Sequence, residues 1–140
     1  MSKVEEVFWS GTGNTAAMAD AVAEGARVKG AEVTLMGPSD FSAARMSEFT
    51  AVAFGCPSMG AEVLEETEFE PMFAEVEGSL TGKRIGLFGS WGWGGGVWMN
   101  DWEQRCKDHG ATLVADPVTC QEAPDDEAKQ ACRDLGSALA

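Results

Sequence analysis

Short apolar runs alternate with stretches of helical periodicity from one end of the chain to the other, and few architectures accept that order. Val4–Trp9 ends in a Val-Phe-Trp run and reads as a strand. Beyond a turn of small residues, Met18, Val22 and Ala26 recur every fourth residue with Ala19 and Ala23 beside them. That is one apolar helix face, and Gly30 is placed to stop it. Ala31–Met36 alternates as a second strand, and Asp40 is placed to cap a short helix to about Ser47. Ala51–Gly55 is nearly all apolar, as a strand of a parallel sheet covered on both faces should be. A polar loop and a short helix fill the chain from about Pro57 to Gly78, with Pro71 obscuring the helix boundaries. Arg84–Gly89 reads as a fourth strand. The next helix turns Trp98 and Trp102 inward and ends at Gly110. Thr112–Ala115 is a fifth strand, resuming at Val118–Cys120. Asp125–Ala140 closes the chain as a helix with Ala128, Ala131, Cys132, Leu135 and Leu139 on one face.

Five strands alternating with helices predict an α/β fold: a five-stranded parallel sheet with right-handed crossovers and helices on both faces. The length of 140 residues fits one domain, residues 1–140. In such sheets ligands sit beyond the carboxyl ends of the strands, where the strand order reverses. Function is therefore expected in the loops after strands one, three and four.

The first of these loops is Ser10-Gly11-Thr12-Gly13-Asn14-Thr15. Its small residues let backbone N–H groups converge, its hydroxyls add donors, and the following helix presents its positive end. That combination suits a phosphate held by neutral dipoles, since the loop has no Lys or Arg. An ordinary capped loop is the other reading. The lysine of a nucleotide P-loop is missing, and so is the third glycine of a dinucleotide fingerprint. The second loop runs Cys56-Pro57-Ser58-Met59-Gly60-Ala61-Glu62. Met59 offers a polarizable surface for a ring, Gly60 a peptide free to rotate, and Glu62 an acceptor for a ring N–H. A plain glycine turn would look similar. The third loop begins at Gly89 and carries Ser90-Trp91-Gly92-Trp93-Gly94. Tryptophans separated by glycines face a ligand or a partner more readily than they pack in a strand, although Trp91 also suits a role covering the sheet edge. A phosphate cradle, two apolar walls and a ring-edge acceptor together describe a site for flavin mononucleotide (FMN).

Several function classes are excluded. The four cysteines, Cys56, Cys106, Cys120 and Cys132, form no C-x-x-C pair, so they are read as packing residues, with no metal site expected. His109 is the only histidine and stands at a helix end, which disfavours nucleophilic catalysis. The net charge is −13, which repels nucleic acid and anionic membranes and suits basic partners. No run is long enough to span a bilayer and the N-terminus lacks a signal-peptide core, so a cytoplasmic location is expected. A phospho-accepting receiver domain would need an Asp where Gly55-Cys56 stands.

Over essentially the whole chain these residues resemble the flavodoxin family, specifically its short-chain members. Ser10–Thr15 matches the family's phosphate signature, Met59-Gly60-Ala61-Glu62 its Met-Gly-x-Glu stretch, and Ser90–Gly94 its Gly-aromatic-Gly-Trp-Gly-like loop. The resemblance implies a three-layer sandwich with strand order 2-1-3-4-5. It implies one non-covalently bound FMN and a low-potential, one-electron carrier rather than an enzyme. Trp93 and Met59 would cover the two ring faces, and Glu62 would bond the ring N3–H. Gly60 would flip its carbonyl toward N5–H and stabilise the neutral semiquinone. Backbone near Trp91 and Gly92 would meet the pyrimidine edge. Ala61 and Trp91 are mild departures from the family pattern. A monomer serving redox partner proteins is expected, and an FMN-dependent NAD(P)H:quinone-type reductase is the alternative. The acids of residues 62–77, Glu65, Glu66 and Glu68 among them, are expected to lower the second reduction potential by tens of millivolts, the rest coming from a dry pocket walled by Trp93 and Met59.

Overall fold

The computed structural model describes residues 2–59, 63–92 and 96–140. Strand β1 (Lys3–Phe8) lies in the sheet interior, between β2 (Glu32–Met36) and β3 (Ala51–Gly55). The order runs on through β4 (Arg84–Trp91) to β5 (Thr112–Leu113), giving β2-β1-β3-β4-β5 as expected. Among the described residues every pairing between these strands is parallel, with Val4 opposite both Val33 and Ala51, and Ala51 opposite Arg84.

The expected fifth strand is two pieces. After β5 the chain leaves β4 and returns as β6 (Val118–Gln121). Arg84 pairs Thr112, but Phe88 pairs Val118, so two extra residues are accommodated in between. Pro117 has no N–H to give a ladder, which suits the break. A two-residue offset preserves the strand's facing, so β6 keeps the correct side toward the core. The return also extends β4 past Gly89 to Trp91, two residues beyond the strand expected from sequence.

Helices α1 (Asn14–Val28) and α4 (Asp126–Leu139) share a buried cluster with Val4, Ala51, Ala53 and Phe88 on one face. Helices α2 (Phe69–Val76) and α3 (Val97–Asp108) cover the other, with Val52, Phe54, Ile85 and Leu87 beneath them. Trp98 and Trp102 are buried as expected, and Phe69 and Phe73 each meet Trp102 edge-on. Pro71 sits in the first turn of α2, where no intrahelical N–H is lost. Asp125 caps α4 by accepting from the Ala128 amide at 2.8 Å. Asp40 caps no α-helix. Residues 38–48 form two 3-10 turns, Pro38–Asp40 and Ala43–Glu48, interrupted by an extended Phe41. Phe41 and Met46 both turn into the core, and that demand overrides the weak helical pattern.

The strand β1 departs from an all-apolar interior. Glu5 and Glu6 are fully buried on opposite faces, and none of their four carboxylate oxygens has a hydrogen-bond partner among the described residues. Desolvation pushes Glu5 up to about 8 and Glu6 up to about 9, with Arg45 and Arg27 respectively offsetting part of it. Both are therefore carboxylic acids at neutral pH. Among the described residues, no helix is long and apolar enough to cross a membrane.

Candidate functional site

The carboxyl ends of β1, β3, β4 and β6 surround a cleft of about 540 Å³, within the usual range for a ligand pocket. The loop after β1 forms its floor. Gly13 takes a φ of 94°, the left-handed conformation that lets the chain turn into α1. No side chain at that position caps the helix; Ser10 does so from three residues earlier. Its Oγ accepts from the amides of Gly13 at 3.1 Å and Ala16 at 3.2 Å. With those two bonds accepted, the Ser10 O–H proton is left to donate. The first-turn amides of Asn14 and Thr15 have no carbonyl one turn before them. No acidic residue stands in the first turn of α1 to offset its positive end. Gly11, Thr12 and Asn14 line the cleft, and Ser10, Gly13 and Thr15 stand between and beside them in the same loop.

Two hydroxyls expected at the ligand site also address each other, and Ser90 lines the cleft. Thr15 Oγ1 and Ser90 Oγ lie 3.2 Å apart, both buried. Ser90 also accepts the Ser58 amide on its carbonyl, at 2.9 Å. Ser90 is thus a strut that fixes the floor, one wall and the end of β4 relative to one another.

The wall after β3 is a short hairpin. Met59 and Val63 exchange backbone hydrogen bonds of 2.8 and 3.0 Å. Pro57, Ser58 and Met59 line the cleft, and Met59 is 39 % exposed, its side chain available to a ring. Cys56 anchors the base: its carbonyl accepts the Trp98 indole N–H at 3.2 Å, and its buried Sγ accepts the Glu65 amide at 3.3 Å. Burial pushes the Cys56 thiol well above its ordinary range, so it stays protonated. Gly89 makes this approach possible, since a Cβ there would sit 2.1 Å from the Cys56 carbonyl oxygen. Gly60, Ala61 and Glu62, expected to contact the ring, lie outside the described residues.

On the opposite wall Trp91 is half-buried, lines the cleft and also packs on the α2/α3 core, so it combines the ligand and sheet-edge roles. Gly92 is open, with nothing near a Cβ position. Trp93 and Gly94 lie outside the described residues. Helices α2 and α3, which follow the two walls, are tied by Arg105. It meets Glu70 in a fork of 2.7 and 2.8 Å, also bonds Glu77, and stands 4.9 Å from the Phe73 ring centre.

Sequence reasoning missed three lining residues: Trp9, Glu122 and Ala123. Trp9 was legible as the last apolar residue of the first strand, since such a residue lies at the ligand end. Glu122 depends on β6, whose exit loop reaches the same end only because the fifth strand is split. Its φ of 57° is left-handed, and its amide donates to the Trp91 carbonyl at 2.8 Å. No Lys or Arg occurs among the described lining residues.

Comparison with known proteins agrees with this geometry. The flavodoxin family model matches residues 7–136. A flavodoxin of Clostridium beijerinckii is 42 % identical over 134 residues, covering 96 % of either chain. A flavodoxin of Megasphaera elsdenii is 42 % identical over 137 residues, covering 98 % of either chain. The solution structure of the two-electron reduced Megasphaera elsdenii protein superposes with a TM-score of 0.89 at 41 % identity, covering 97 % of both chains.

Proposed function

The chain belongs to the flavodoxin family, and on that premise we propose that it carries single electrons between redox proteins on one FMN held in the cleft described above. The observation that carries the proposal is the donor set of the floor. Ser10 offers a hydroxyl proton, α1 offers first-turn amides at its positive end, and no cation takes part. Such a cradle fits a phosphate monoester, while Met59 and Trp91 give apolar surface above it for a flat ring system.

Bound FMN supplies two separable one-electron steps. The chain's own residues bind and orient it. Thr15 and Ser90 keep the floor and walls in register, and the Met59–Val63 bridge holds one wall closed at its base. By family likeness, Trp93 would cover the second ring face, Gly60 would offer a carbonyl to N5–H, and Glu62 would accept from N3–H. The acidic surface beside the cleft, with Glu66, Glu68 and Asp101 exposed, suits basic partner proteins. A monomeric, cytoplasmic carrier fits these features.

Anaerobic reductive titration of the purified protein tests the proposal. The expected result is one FMN per chain and a blue one-electron-reduced form that builds up before bleaching. Direct passage to the two-electron form would favour a reductase in the same cleft. Absence of flavin binding would overturn the assignment of the cleft.

A further inference from the structure

Glu65 stands in a run of seven glutamates between residues 62 and 77, yet it is only 5 % exposed. Its carboxylate accepts from the amides of Thr67 at 2.8 Å, Glu68 at 2.7 Å and Phe69 at 2.9 Å, and from the Thr67 hydroxyl. Its own amide donates to Cys56 Sγ, at the far end of the Met59 hairpin, and its carbonyl accepts the Glu70 amide at 2.8 Å. Every polar group of this residue is therefore engaged. Burial by itself would raise its pKa, but the bonds from Thr67, Phe69 and Glu68 outweigh that and hold the carboxyl below its ordinary range.

A carboxylate surrounded by four donors at a helix N-terminus exerts little free field on a neighbouring ring. It is well placed to hold a segment of chain. The two ends of the hairpin, Cys56 and Glu65, are joined through sulfur, and Cys56 is in turn held by Phe88 and Trp98. Met59 and Val63, which flank the segment, are carried by this frame. Exposed Glu66 and Glu68 have no such engagement and remain the acids able to act by charge.

We propose that Glu65 is a positioning residue for electron transfer: by capping α2 and bonding Cys56, it fixes the cleft wall that carries Met59. The idea rests on the flavin-carrier function proposed above. A supporting shell that yields loses the contacts it holds in place, so the effect belongs to the redox step that depends on this wall.

The test compares Glu65→Gln and Thr67→Val with Glu66→Gln as the charge control, in the full chain loaded with FMN. Both one-electron potentials are measured at low and high salt. Amide exchange at Thr67, Glu68 and Phe69 is followed in the flavin-free protein. Glu65→Gln is expected to lower the first potential, with about a tenfold loss in preference for the one-electron-reduced form, equivalent to about 59 mV, unaffected by salt. Thr67→Val, which changes no charge, is expected to shift it in the same direction by less. Both should speed exchange at the three amides. Glu66→Gln should leave the first potential unchanged and raise the second slightly, with the effect fading in salt. If Glu65→Gln behaves like Glu66→Gln and Thr67→Val leaves both potentials unchanged, the proposal is overturned. If Glu65→Gln does not fold, Thr67→Val decides alone. A wild-type protein with no accumulating one-electron-reduced form would instead sink the carrier function, and this proposal with it.

Discussion

Glu5 and Glu6 place two carboxyl groups in the interior strand with nothing to bond among the described residues, an arrangement that costs stability wherever the groups would ionise. Their folded pKa values, about 8 and about 9, lie above the 4.5 of a solvated glutamate. The folded state therefore binds protons that the unfolded chain has released. Stability from this source is fully present below about pH 4.5 and is lost as pH rises toward 8–9. The urea midpoint should fall steadily between pH 6 and pH 9. Glu6→Leu should raise stability at pH 7 by at least about 1–3 kcal/mol, the cost of a buried unbonded polar group, and should flatten that slope. Parallel urea titrations of the two proteins would decide it; an unchanged slope would show that Glu6 is ionised in the fold. The thiols of Cys106 and Cys132, each pushed up to about 12 chiefly by burial, stay protonated throughout this range.

At the scale of elements, the contact between α1 and α4 depends on two glycines that helical periodicity does not mark. A Cβ on Gly25 would sit 1.9 Å from the Arg133 carbonyl oxygen, and one on Gly136 would sit 1.9 Å from that of Val22. The two helix backbones touch where neither has a side chain. Gly25→Ala or Gly136→Ala must force the helices apart, for a cost of about 1–3 kcal/mol or more and a fall in Tm on the order of 5–10 °C. Gly78→Ala, which meets open space, should leave Tm within a few degrees of wild type or raise it. Thermal unfolding of the three variants checks this. The same contact orders α1, whose N-terminus forms the floor of the cleft, so flavin affinity should fall with Tm in the first two variants only.

For the whole molecule, a net charge of −13 and the exposed acids of the α2/α3 side dominate the long-range field. Arg105 adds little there, since Glu70 and Glu77 occupy its guanidinium. The rate of electron transfer to a basic redox protein should fall by about tenfold or more between low and physiological ionic strength, as for steered association. Stopped-flow mixing at several salt concentrations reads this directly, and a salt-independent rate would remove the steering argument.

What the sequence determined by itself was the alternation of strands and helices, the end of the sheet where ligands bind and the three loops that form the cleft. These are local properties: a period of two or of 3.6, a helix-stopping glycine, a run of small residues before a helix. What only the tertiary structure decided depends on pairs distant in the chain. Ser90, expected in the cleft, lines it, and only the fold shows that its hydroxyl also meets Thr15, 75 positions away. Glu65 looked like one more surface acid until the turn into α2 folded three amides onto its carboxylate. Glu122 joined the cleft because two residues between β5 and β6 carry the chain past Pro117 and back to β4. Hydrophobic period records which way a side chain faces but not which partner it meets, and at this site the partners assign the roles.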